Sequence, residues 1–169
     1  MKRKTITVKW LESINACGEA VEVFADQNEK DALKVLGLMI KQKKLSWANW
    51  LIVRLMTYKK YVSYAVYAAE QVINIYEKRH PGDNRPREAI KAAKRCIKNP
   101  SRENKAAAVA YAVADADDPA AYAAYAAAYA TVAYAGADAA YAAAYAVGAA
   151  DADKMKIKIL RYGIKLLRK

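Results

Sequence analysis

The chain has 169 residues, the size of one domain and enough to bury a substantial core. It carries 29 Lys+Arg against 17 Asp+Glu, a net charge of +12, and its four Pro and six Gly are too few for a disordered, collagen-like or sandwich composition. One His and two distant cysteines exclude a conventional zinc site, which needs about four N or S ligands, and no cofactor is expected.

Cys17 and Cys96 do not form a CxxC pair and read as reduced thiols of a cytoplasmic protein. Met1-Lys2-Arg3-Lys4 imitates the start of a signal peptide, but Glu12 and Glu19 interrupt the residues after it and no apolar stretch appears. Pro119 to Ala137 holds 19 residues without a charge, long enough for a bilayer by count. It is built from Ala and Tyr, and Asp117, Asp118 and Asp138 close on it from both sides, so it reads as buried helix with no membrane partner.

Charge divides the chain into four segments. Residues 1–58 are net +4, residues 59–105 net +7, residues 106–153 net −6 without a base, and residues 154–169 net +7 without an acid. The expectation is an all-α fold, a single-domain multi-helix bundle or helical stack over residues 1–169. N-terminal helices fill 1–58, basic helices 59–105, Ala/Tyr-rich core helices 106–153, and a basic closing helix 154–169.

Helical periodicity runs throughout. Near the start, Asn15-Ala16-Cys17-Gly18-Glu19-Ala20 fits a tight helix contact. Leu33, Leu36, Ile40 and Lys43 then share one face, with Val35 and Met39 beside it. Ser46 is placed to cap a short helix carrying Trp47, Trp50, Leu51 and Leu55, the tryptophans reading as core. Val62, Ala65, Ala69, Val72, Ile73 and Tyr76 fall in a narrow arc opposite Ser63, Glu70, Asn74 and Glu77. That pattern predicts one amphipathic helix ending at His80-Pro81-Gly82. Asn84 then caps, Arg85 and Pro86 open the next helix, Asn99-Pro100 ends it, and Ser101 starts another.

From Ala106 to Asp153 there are 27 Ala, seven Tyr and six Asp among 48 residues. Ala-Tyr-Ala-Ala-Ala-Tyr-Ala occurs at 124–130 and again at 140–146. Alanine is the best helix former, and small faces let helices approach at the short end of the ~8–10 Å range. Tyrosine rings are expected to fill the gaps as large knobs. Tyr122, Tyr125 and Tyr129 share one face and Tyr134, Tyr141 and Tyr145 another, so either one helix is sandwiched on both sides or it breaks near Ala135–Asp138 with Asp138 as the new N-cap, the reading that Gly136 and Asp138 favour. The last helix sets Met155, Ile157, Ile159, Leu160, Tyr162, Ile164, Leu166 and Leu167 against a basic face and is expected to close on the Ala/Tyr block.

Two basic stripes are candidate binding surfaces. Arg87, Lys91, Lys94 and Lys98 recur at i, i+4, i+7, i+11, and Lys154, Lys158, Arg161 and Lys165 repeat that spacing, with Arg168 beyond. Such rows attract phosphate, and they equally suit solvated faces with bases near helix C-termini. The corner at 76–87 adds Arg79, Asp83, Arg85 and the lone His80; its arginines suit carboxylate or phosphate, or tie a structural turn. Asp115, Asp117, Asp118, Asp138, Asp151 and Asp153 lack the spacing of a calcium loop and read as caps and solvated ends. Neither a nucleophile–base set, a phosphate loop nor a metal-carboxylate pair is present, so no enzyme activity is expected.

The run from Tyr76 to Ile90, with Pro81, Asp83, Arg85 and Pro86 at its turn and an Ala-rich block behind it, resembles immunity proteins of bacterial polymorphic toxin systems. The resemblance spans roughly residues 45–150, while Trp10 to Cys17 is similar to small phage or mobile-element proteins. It implies an all-α protein that acts by binding a partner, a toxin or another conflict-system component, and transfers no catalytic residue. The strong basic charge departs from acidic mimicry of nucleic acid. The first expectation is therefore a non-enzymatic inhibitor or modulator of a protein partner. Binding of nucleic acid or an anionic nucleotide through the basic faces, and an oligomer-forming structural role, stand as alternatives.

Overall fold

A computed structural model describes residues 5–112, 117–133 and 136–169. Within them the order is α1 (Val8–Ser13), α2 (Gly18–Ala25), α3 (Ala32–Lys41), α4 (Leu45–Arg54), α5 (Tyr58–Glu70), α6 (Ile73–Arg79), α7 (Arg85–Lys98), α8 (Arg102–Ala112), α9 (Pro119–Tyr129), α10 (Gly136–Ala146) and α11 (Ala149–Arg168). The fold is an all-α helical stack, and its buried side chains from Ile6 to Leu167 form one hydrophobic cluster.

Alanine sets the geometry at the centre. Helix α9 packs against α5, α6, α7, α8 and α10, and a rod with so many neighbours has room for little beyond a methyl group on most of its faces. Ala120, Ala121, Ala123, Ala124, Ala126, Ala127 and Ala128 are all buried. The tyrosines behave differently from the expectation. Tyr125 is buried, but Tyr122 and Tyr129 are each 49% exposed and Tyr145 is 75% exposed. The repeated heptapeptide keeps one order of exposure in both copies: its first tyrosine is buried at Tyr125 and half-buried at Tyr141, and its second, Tyr129 or Tyr145, is exposed. Close methyl-to-methyl packing leaves the remaining rings only the outer strip.

The break in the Ala/Tyr block is present, with corrected boundaries. Helix α9 stops at Tyr129, and Asp138 lies in the first turn of α10 instead of capping it. A Cβ on Gly136 would sit 3.4 Å from the Tyr61 carbonyl oxygen and from Val53 Cγ1, so α10 enters close against α5 and α4. Tyr134 and Ala135 lie outside the described residues, as do Asp115 and the basic run at 1–4.

The expected helix through 62–76 is two helices. Val72, at φ −127° and ψ −11°, departs from helical backbone, and the Gln71 side chain donates to the Tyr67 carbonyl at 2.9 Å. The turn frees α6 to pack on α9, yet Val72, Ile73 and Tyr76 stay buried on the far side of it. Ser46 is not the cap of α4. Lys43 takes φ +57°, Lys44 stands at the N-cap position, and the helix has begun by Leu45. A Cβ on Gly18 would meet nothing within 4 Å and Cys17 is exposed, so neither residue makes the tight helix contact expected there.

Short polar side chains cap other helix starts. Asp31 caps α3 by accepting from the Leu33 and Lys34 amides at 3.0 and 3.1 Å, Asp118 does the same for α9, and Ser101 accepts from the Asn104 amide at 3.2 Å. Helix α11 closes on α10 and also lies across α4 and α5. Gly163 makes that crossing close, since a Cβ there would fall 2.6 Å from Ile52 Cδ1 and 2.8 Å from the Tyr64 ring.

Candidate functional site

The corner between α6 and α7 is held by charge. The Tyr76 hydroxyl donates to Asp83 Oδ2 at 2.7 Å. Arg85 donates to the same carboxylate from Nη2 at 2.6 Å, from Nε at 3.0 Å and from its backbone N–H at 3.0 Å. Asp83 thereby does the capping expected of Asn84, whose side chain makes no cap bond. These donors, Arg85 first and Tyr76 second, hold the Asp83 carboxyl well below the usual carboxylate range, and the Tyr76 phenol is raised in return. The His80 ring stacks on Tyr76 with centroids 4.4 Å apart.

Two further arginines tie helices together at this corner. Arg87 grips Glu77 from α7 to α6, and Arg79 reaches Asp118 Oδ2 at 3.0 Å, joining α6 to the capping residue of α9. Lys91 pairs with Glu88 at 2.7 Å, and Lys94 pairs with Glu70 of α5. Of the seven sequence candidates between Arg79 and Lys98, only Lys98 makes no ion pair among the described residues.

The α11 stripe is arranged otherwise. Lys154, Lys158, Arg161 and Lys165 are all exposed and line one open groove of about 570 Å³ with Tyr67, Ile157 and Tyr162. Lys154 pairs with Asp151 at 2.9 Å, while Lys158, Arg161 and Lys165 make no ion pair among the described residues. The Tyr67 and Tyr162 rings stack with centroids 3.8 Å apart and planes 11° from parallel. Two stripes of one spacing therefore have different surroundings: the α7 row pairs with carboxylates of α5, α6 and its own helix, whereas the α11 row pairs only at Lys154, with Asp151 of its own helix, among the described residues.

A second surface is not legible in the sequence, because Tyr and Ala in such a block read equally well as core. Asp117, Pro119, Tyr122, Asp138, Tyr141, Ala142 and Tyr145 line a groove of about 390 Å³ between α9 and α10. Spacing gave no signal for it, since tyrosines three or four residues apart share a helix face and only the packing of neighbouring helices decides which ring stays outside.

Residues 53–168 match the family model described as "Imm-5 like putative immunity protein". The chain belongs to that family. Comparison with curated proteins and with solved structures returned no match. The Imm-5-like part begins inside α4 and takes in the corner, the Ala/Tyr helices and nearly all of α11.

Helices α1, α2 and α3 precede the Imm-5-like part and meet it across an apolar cavity of about 260 Å³. Leu11, Phe24, Met39, Trp47 and Trp50 line it from the N-terminal side and Tyr141 from the family domain. Both tryptophans are half-buried, capped outside by Lys44 over Trp47 at 4.1 Å and Arg54 over Trp50 at 3.8 Å. Among the described residues no group of His, Cys, Asp and Glu is arranged to hold a metal, and no helix is long and apolar enough to cross a membrane.

Proposed function

We propose that this Imm-5-like chain is a non-enzymatic binding protein that inhibits a protein toxin, or another component of a bacterial or phage conflict system, in the cytoplasm. The observation that carries the reading is the family match over 53–168, which takes in both the corner and the Ala/Tyr helices. The α9–α10 groove suits protein recognition. Tyr122 and Tyr145 offer large, amphipathic area at low entropic cost, the residue type enriched in binding hot spots. Asp117 and Asp138 at its rim favour a cationic face on the partner, the choice that a chain of net +12 would otherwise oppose. The corner arginines serve this surface indirectly, since Arg79 fixes Asp118 at the head of α9. The exposed free thiol of Cys17 fits a reducing compartment.

The test is co-expression with the product of the neighbouring gene, followed by a toxicity assay and light scattering on the purified mixture. A stoichiometric complex that protects cells from the toxin is expected, and Tyr122→Ala with Tyr145→Ala should weaken it by about tenfold or more. Full toxicity with no complex would remove the immunity reading, and a complex indifferent to both tyrosines would remove this groove as its interface. A second reading, recognition of phosphate-bearing ligands, is favoured by the α11 groove alone.

A further inference from the structure

We propose that the groove between α5 and α11 is a track for the phosphodiester backbone of single-stranded nucleic acid, with Lys154, Lys158, Arg161 and Lys165 as its phosphate contacts. The inference does not depend on toxin binding, because it uses a different surface and a different ligand chemistry.

Its first support is the contrast between the two stripes. Arg87, Lys91 and Lys94 repeat the α11 spacing, but Glu77, Glu88 and Glu70 neutralise them. In the α11 groove Asp151 engages Lys154 only, and Glu70, the carboxylate of the adjoining α5, is taken by Lys94. Three adjacent cations are left on an exposed helix face, a local field that attracts a polyanion and releases its counterions.

Shape supplies the second support. At about 1.5 Å rise per residue the row extends for about 16 Å, with neighbours roughly 4.5–6 Å apart along the axis. A site for one mononucleotide draws its donors together from several sides; here they come in line from one helix. The groove is open to solvent beside this linear row, which suits an extended and flexible strand more than a compact ligand. Tyr67 and Tyr162 are half-buried at the same groove, and an aromatic pair beside a cationic row is what sequence-tolerant single-strand binders present to bases.

The experiment is fluorescence anisotropy of a labelled oligothymidine about twelve nucleotides long, titrated with the full chain at low and rising salt. Binding is expected, with log affinity falling against log salt at a slope of about −2 to −3, as roughly four single-strand phosphate contacts dictate. Lys158→Glu with Arg161→Glu should weaken it by about tenfold or more, and the milder Lys158→Gln with Arg161→Gln should weaken it less, in the same direction. Both positions are exposed, and circular dichroism checks that each variant folds. The charge-matched control, Lys41→Glu with Lys59→Glu on exposed positions outside the groove, should change affinity by no more than about twofold. No binding at low salt, or an equal loss in the control, would overturn the proposal. ATP competing molecule for molecule with the oligonucleotide would replace the track by an isolated polyphosphate site. Duplex binding more tightly than single strand, or polyglutamate competing equally at matched charge, would likewise overturn it, the latter in favour of an acidic protein.

Discussion

Arg87 and Glu77 meet across the α6–α7 corner through two parallel hydrogen bonds, Nε to Oε1 at 2.6 Å and Nη2 to Oε2 at 2.5 Å. The fork geometry is specific to a guanidinium, and Arg87 Nη2 also reaches Asn74 Oδ1 at 3.3 Å. Both partners are about a third exposed, so solvent screens the pair and its coupling should be only about 0.5–1 kcal/mol. A double-mutant cycle with Arg87→Ala and Glu77→Ala, read by urea unfolding, measures it. Arg87→Lys should recover less than half, because an ammonium cannot reproduce the fork. Full recovery by lysine would show that charge alone matters there.

The corner also predicts a pH dependence. Arg87 lowers the Glu77 carboxyl from its ordinary 4.5, and Arg85 with Tyr76 lowers Asp83 from 3.8. The unfolded chain therefore takes up protons before the folded one does. This contribution is complete above the ordinary values and is lost as pH falls through them toward the lowered ones. Melting temperature should drop between about pH 5 and about pH 3, and Glu77→Gln with Asp83→Asn should make that decline shallower. Identical slopes would mean that other carboxylates account for acid sensitivity.

Gly163 and Gly37 should answer oppositely to alanine. At Gly163 a Cβ would lie 2.8 and 2.9 Å from ring atoms of Tyr64, which is fully buried, and 2.6 Å from Ile52 Cδ1. The overlap should cost about 1–3 kcal/mol, more than the ~1 kcal/mol that helix propensity returns. At Gly37, inside α3, nothing lies within 4 Å, and alanine should stabilise by about 0.5–1 kcal/mol. Chemical denaturation of both variants decides the matter, and destabilisation of equal size at the two sites would contradict the packing described.

Tyr64 carries one of the few polar links in the core. Its hydroxyl donates to Asn49 Oδ1 at 2.8 Å, and Asn49 Nδ2 donates to the Ala137 carbonyl at 3.0 Å, linking α5 to α4 and α10. Tyr64→Phe keeps the ring and strands a buried acceptor, a loss of about 1–3 kcal/mol. Unchanged unfolding free energy in that variant would show that Asn49 finds another donor.

Ala127 and Tyr129 test what holds the Ala/Tyr block together. Ala127 is fully buried, whereas Tyr129 is 49% exposed. Ala127→Leu should overpack the centre by about 1–3 kcal/mol, while Tyr129→Ser should stay within about 0.5 kcal/mol. A larger loss at Tyr129 would restore the ring to the role that composition suggested.

Local chemistry was readable at several helix starts, although Ser46, Asn84 and Asp138 do not cap as their positions suggest. Asp31 and Asp118 cap through amides two and three residues away, Ser101 through one three residues away, and Pro86 sits where a first helical turn tolerates it. The all-α class and the closing role of α11 followed from composition and periodicity. Periodicity could not show the turn at Gln71–Val72, because the same apolar arc continues on both sides and only the seat of α6 on α9 calls for a bend. The tyrosines misled for a related reason. A ring is apolar enough for a core, and only the crowding of five helices around α9 sends Tyr122 and Tyr129 outward.

The candidate site divides along the same line. Sequence alone established that two cationic rows of equal spacing exist, because helical pitch fixes which residues share a face. Whether a row is neutralised depends on carboxylates brought in from other helices, and Glu77 and Glu70 reach α7 through the packing of α6 and α5. Coulomb energy falls with distance in space, not along the chain, so only the tertiary structure could leave Lys158, Arg161 and Lys165 open.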